Sequence, residues 1–147
     1  MPDPILPDPH AEWTAPLAAL RAAGWSVAVH NDYVLDGRLR TFWLLTRKGG
    51  TCAKGEGLDD AAALRACPGA EEAAAGADPA AVSALARLRA AGWQVAIHND
   101  FRLAGRARTF WRIVNPAAGT YRDGEGDTDA EALAACLAEA GLGPPSR

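Results

Sequence analysis

Cysteine is scarce: Cys52, Cys67 and Cys136 are an odd, widely spaced set. They supply no disulfide framework, and a reducing cytoplasm is the expected setting. No run of about 18 apolar residues is present, which excludes a helical transmembrane span. The opening segment, Met1 to His10, is acidic and proline-rich, the wrong chemistry for a signal peptide. Charge of one sign is lacking too. The net charge of -3 over 147 residues, with 22% charged residues, excludes a polycation, and 49% hydrophobic residues exclude a disordered tail. Alanine abounds while lysine is rare, a composition that fits a high-GC bacterial or phage source.

What is present is an internal repeat. A shift of 68 residues lays Leu20–Trp25 (LRAAGW) on Leu88–Trp93 (LRAAGW), His30-Asn31-Asp32 on His98-Asn99-Asp100, and Arg40–Trp43 on Arg108–Trp111. One extra residue enters near Asn115-Pro116, after which Gly55-Glu56-Gly57 matches Gly124-Glu125-Gly126 and Cys67 matches Cys136. The chain therefore reads as a tandem duplication. Each copy begins with an Ala/Leu-rich helix (from Pro16 to Ala23; from Pro79 to Ala91). Asp78 suits an N-cap, Pro79 a first turn, and Gly24 or Gly92 the left-handed position after the last turn. Strands follow at Trp25–His30 and Trp93–His98, at Arg40–Arg47 and Arg108–Asn115, and from Thr51 and Thr120. Thr128 and Glu131 form a capping box for a closing helix, and Asp59 or Asp60 caps its counterpart.

The expected fold is α+β. It comprises two αβββα repeats, each a three-stranded antiparallel sheet packed on two helices, related by pseudo-twofold symmetry because a unit of about 60 residues has a marginal core alone. The expected divisions are a proline-rich tail (1–13), repeat one (14–67), a linker (68–77), repeat two (78–141) and a C-terminal tail (142–147).

Alternation assigns the faces of the sheets. Trp43, Leu45, Trp111 and Ile113 point inward, with Val27, Val29, Val95 and Ile97. Ala28, His30, Phe42 and Leu44 share an open face in repeat one; Ala96, His98, Phe110 and Arg112 do so in repeat two. Such a face invites a cover, either the other repeat or a second chain in a homodimer. A Phe and a His per sheet also have the chemistry of a base-stacking platform.

Catalytic chemistry finds little support. His30-Asn31-Asp32 offers one imidazole without a nearby Cys, so the turn-forming Asn and Asp are expected to end the strand. No nucleophile sits in a recognisable elbow, and Cys67 and Cys136 fall among helix alanines. Asp59-Asp60 fits the positive end of a helix dipole. The Gly-Glu-Gly segments lack the Lys and Ser/Thr of a phosphate loop and read as strand-to-helix turns. No residue set calls for a metal or a cofactor.

Charge placement is more telling. From Gly24 to Gly57, and again from Gly92 to Gly126, five basic residues face three acidic ones. Arg38 recurs as Arg106 and Arg40 as Arg108. Arginine suits phosphate and carboxylate alike.

The αβββα order, the Gly-x-x-Arg-Thr-Phe stretch before the second strand and the Gly-Glu-Gly-x-x-x-x-Ala run into the last helix together resemble the double-stranded RNA-binding domain. The likeness spans nearly all of 14–141. It implies the fold and an RNA-binding surface, but the family grips phosphates with lysines at the start of its last helix. Here those positions hold Leu58-Asp59-Asp60-Ala61 and Asp127-Thr128-Asp129-Ala130, whose carboxylates repel a duplex. The loop that would enter the minor groove, Asn31 to Leu39, carries Arg38 as its only base.

The resulting expectation is a non-enzymatic binding protein, a protein-interaction or regulatory accessory module of bacterial or mobile-element origin. The alternative is a nucleic-acid-binding module using Arg38, Arg40, Arg106 and Arg108, with His30 and His98. A small metal-dependent hydrolase is a distant third. The partner is an unidentified protein or nucleic acid, and no membrane is involved.

Overall fold

The computed structural model describes residues 12–47, 49–67 and 78–142. The expected linker (68–77) lies outside the described residues, as do most of the two tails. The elements are α1 (Thr14–Ala22), β1 (Trp25–Leu35), β2 (Arg38–Arg47), β3 (Cys52–Gly57) and α2 (Asp60–Arg65). They continue with α3 (Pro79–Ala90), β4 (Gln94–Leu103), β5 (Arg106–Asn115), β6 (Thr120–Gly126) and α4 (Asp129–Glu139). The fold is α+β, with two three-stranded antiparallel sheets ordered β1-β2-β3 and β4-β5-β6. Among the described residues no helix is long and apolar enough to cross a membrane.

Helix ends follow local chemistry. Asp78, Asp59 and Thr128 each accept a bond from the backbone N–H three residues on, and Glu131 Oε1 accepts one from Asp127 N. α1 begins earlier than its Pro16 implies, because the Glu12 carboxylate accepts from the N–H groups of Thr14 and Ala15. That start carries Trp13, assigned from sequence to the tail, into the core between Trp43 and Trp111, with ring centroids 6.0 and 5.8 Å away. Gly24 and Gly92 follow α1 and α3 with φ of 96° and 93°, a conformation that favours glycine.

Two expectations for the strands are corrected. His30-Asn31-Asp32 does not end β1; the strand continues to Leu35, and the chain reverses at Asp36-Gly37, whose φ values are 54° and 77°. Ala104-Gly105 (53° and 80°) repeats the turn between β4 and β5. Both are two-residue hairpins with positive φ at both positions, which matches the strand twist. The Gly-Glu-Gly segments are likewise not turns but the ends of β3 and β6. A Cβ on Gly55 would sit 2.1 Å from the Ala63 carbonyl oxygen, and one on Gly124 2.2 Å from that of Ala132. Glycine there lets α2 and α4 lie directly on the strand backbone.

One hydrophobic cluster joins both halves. It includes Leu17, Leu20, Trp43, Leu45 and Leu64 from the first and Leu85, Leu88, Trp111, Ile113 and Leu133 from the second. β1 and β4 pack alongside each other, and the contacts of Val27 with Asp100 and of Asp32 with Val95 run them in opposite directions. No ladder joins them; Asp100 accepts from Val27 N and Asp32 from Val95 N, each at 2.8 Å. Those carboxylates occupy backbone donors of two strands that are both sheet edges.

Candidate functional site

His30 and His98, assigned from sequence to the open face, are completely buried. The cause is a bulge in each strand: pairing with the neighbour shifts between Val27 and Val29, and between Val95 and Ile97. The extra residue, Ala28 or Ala96, reverses the alternation beyond it. His30 thus faces inward opposite Trp43, and His98 opposite Trp111, while Ile97 turns toward solvent.

The two imidazoles meet at the junction of the halves, Nδ1 to Nδ1 at 3.0 Å. Each stacks on a tryptophan, His30 on Trp43 and His98 on Trp111, with centroids 3.7 Å apart. Their outer nitrogens point at carboxylates: His30 Nε2 is 2.7 Å from Asp60 Oδ1 and His98 Nε2 is 2.9 Å from Asp129 Oδ1. Asp60 also accepts from Thr41 Oγ1 and Trp43 Nε1, and Asp129 from Thr109 Oγ1 and Trp111 Nε1. Each acid is then paired with an arginine from the other half. Arg89 of α3 binds Asp60 and Asp32, both at 2.6 Å; Arg21 of α1 binds Asp129 at 2.7 Å and Asp100 at 2.6 Å.

Hydrogen-bond accounting fixes the protonation of the histidine pair. Both Nε2 atoms face acceptor-only carboxylates, so both carry protons. Two bare Nδ1 lone pairs at 3.0 Å would repel, and two Nδ1–H groups would clash. One proton lying between the rings satisfies both Nδ1 atoms. Burial first of all pushes His98 down to about 4, against the pull of Asp129. Burial would raise the Asp60 carboxyl, but Arg89 and then His30 outweigh it and hold the group well below its ordinary value. Asp129 is lowered likewise, its burial outweighed by His98 and Arg21.

His30, Asp32 and Asp60 offer ligand atoms within 4.8 Å of one another, a spacing suited to a metal. Their lone pairs are already committed: Arg89 bridges the two acids, and Val95 N occupies Asp32. A cation placed there would have to displace the guanidinium. The same closure limits chemistry at the thiols, since burial pushes Cys67 up to about 11 and Cys136 up to about 12.

The remaining candidates lie apart from this junction. Phe42 and Phe110 are half-buried on the outer faces, and the Arg112 guanidinium lies 4.5 Å from the Tyr121 ring centroid while pairing with Asp123. Arg106 and Arg108 both bind Asp127. Arg40 donates to the Tyr33 hydroxyl, which donates to Glu56, and Arg38 is exposed with no acid partner among the described residues. Asp32 is held by Arg89, not by Arg38 or Arg40 across the hairpin. A cleft of about 510 Å³ beside Asp127 is lined by Arg21, Trp25, Asp100, Arg102 and Arg108.

Reading the sequence missed Arg21, Arg89, Asp60, Asp129, Thr41 and Thr109 as one network. The available signal was the recurrence of the same residue types 68 or 69 positions apart, Arg21 with Arg89, Thr41 with Thr109 and Asp60 with Asp129. Compared with protein-family models, curated proteins and solved structures, the chain matches none.

Proposed function

We propose that the chain is a non-enzymatic binding protein made of two αβββα units about a pseudo-twofold axis, acting on a partner protein through its hairpin ends. One observation carries this reading: the large exposed apolar side chains include Val34 (58%), Leu35 (52%) and Leu103 (57%), all at hairpin ends beside Arg38, Arg102 and Arg106. Exposed aliphatic groups rimmed by arginine suit a protein interface. The groups with most capacity for catalysis, the histidine pair and its acids, are buried and saturated with internal partners, which supports a non-enzymatic role. Free thiols at Cys52, Cys67 and Cys136 suit a reducing compartment.

A fold kinship with the double-stranded RNA-binding domain fits the element order, but RNA binding is less well supported. The last helix of each unit starts with acids, one as N-cap in α2 and one buried in each network. A second reading, nucleic-acid binding, is favoured only by Arg38, which has no acid partner among the described residues. Titration with single-stranded DNA and double-stranded RNA at two salt concentrations separates the readings. The protein-binding reading expects no association at low salt, whereas tight binding that collapses as salt rises would overturn it. Capture of a partner should weaken when Val34, Leu35 and Leu103 are changed to serine.

A further inference from the structure

The duplication supplies an internal comparison at the arginine hairpins. Arg106 and Arg108 converge on one carboxylate: Arg108 Nη1 donates to Asp127 Oδ1 at 2.8 Å, and Arg106 Nη2 donates to Oδ2. Asp127 stands between Gly126, the last residue of β6, and Thr128, the N-cap of α4. The matching place in the first half, between Gly57 and the N-cap Asp59, holds Leu58. The arginines themselves are matched. Arg38 and Arg40 stand opposite Leu35 and Tyr33 on β1, as Arg106 and Arg108 stand opposite Leu103 and Phe101 on β4. Among the described residues, no carboxylate pairs directly with either arginine of the first half; Glu56 reaches Arg40 only through the Tyr33 hydroxyl. Its counterpart Glu125 is present in the second half as well, and Asp127 is bound there all the same.

We propose that Arg38 and Arg40 form a receptor for a carboxylate from an acidic segment of a partner protein, and that Asp127 is the built-in occupant of the equivalent receptor. This rests on the protein-binding reading and adds the chemistry of the partner. The occupant found in the chain is an aspartate, and the arginine fork accepts a carboxylate through paired charge-assisted bonds. Val34 and Leu35, exposed beside Arg38, favour a segment in which Asp or Glu adjoins a bulky aliphatic residue. A carboxylate is favoured over a phosphate backbone by the occupant the chain itself supplies, Asp127 on the matching arginines. Despite the duplication, one chain takes one such segment.

The test is an anisotropy titration of the full chain with a labelled peptide of alternating Asp and Leu. A Lys/Leu peptide and a single-stranded DNA oligomer are run beside it. The wild type should bind one acidic peptide and neither control. Leu58→Asp, which reproduces the internal occupant, and the Arg38→Gln/Arg40→Gln pair should each weaken binding at least about tenfold. Both should keep the wild-type unfolding midpoint within a few degrees. Asp127→Asn, which empties the second receptor, should raise the stoichiometry to two. Unchanged binding by Leu58→Asp, no binding of the acidic peptide by the wild type, or preference for DNA would overturn the proposal. A partner that needs Val34, Leu35 and Leu103 but ignores Leu58→Asp and the arginine pair would overturn the carboxylate receptor while leaving the protein-binding reading intact.

Discussion

Arg89→Met probes the junction between the halves with little change in side-chain length. Arg89 Nη2 and Nε hold both oxygens of Asp32, at 2.6 and 3.1 Å, and Nη1 reaches Asp60 at 2.6 Å. Both acids are buried, and Asp32 would retain only the Val95 N–H. Removing one member of a buried ion pair costs about 3–5 kcal/mol, mostly for the charge left uncompensated. A domain has about 5–15 kcal/mol in all, so the loss is a large fraction. Arg21→Met removes the corresponding contacts to Asp100 and Asp129, but the Arg21 side chain is 32% exposed against 14% for Arg89. Water partly replaces it, and about 2 kcal/mol is expected. Guanidinium unfolding followed by tryptophan fluorescence at pH 7 measures both. With Arg89 gone, the Asp60 carboxyl rises, so acid unfolding should also begin at a higher pH. A loss below about 1 kcal/mol for Arg89→Met, or a greater loss for Arg21→Met, would refute the reasoning.

Acid should weaken the fold in two stages. His98 falls to about 4 in the folded protein from 6.5, so in that interval only the unfolded chain takes up the proton. Its contribution is complete above pH 6.5 and is lost as the pH drops toward 4, about 3 kcal/mol in total; a flat stability profile over this range would contradict it. The lowered carboxyls of Asp60 and Asp129 add a further loss below about pH 4. Gly124→Ala forces a Cβ into contact with the Ala132 carbonyl and the Cys136 backbone; a destabilisation of about 3 kcal/mol or more is expected in thermal melts. Thiol titration of the native protein should find Cys52 reactive and Cys67 and Cys136 silent until unfolding, since only the first is exposed.

The helices and the order of strands were legible because capping residues, glycines after helices and apolar spacing are local signals. The face of β1 beyond Val27 was not. Alternation counts residues, and an alanine bulge inserts one without a distinctive side chain, so His30 was assigned to the wrong side. The end of β1 was misjudged for a related reason. Asn31 and Asp32 favour turns by local hydrogen bonding, yet Asp32 gains Arg89 and Val95 N across the junction, contacts no local rule contains. The Gly-Glu-Gly segments looked like turns because glycine is usually read through its dihedral freedom; here the missing Cβ matters instead. Arg21 and Arg89 lie in the last turns of α1 and α3, and their reach to the opposite half belongs to tertiary structure. The hairpin arginines were visible as charge, whereas Asp127 as the occupant of one pair was not, because the sequence does not say which carboxylate a guanidinium will meet.

Nitrogen-15 NMR of the imidazole rings tests the buried junction most directly. At neutral pH, His30 and His98 should both show protonated Nε2 atoms and a single strongly deshielded proton coupled to Nδ1. Two rings with unprotonated Nδ1 atoms would contradict it.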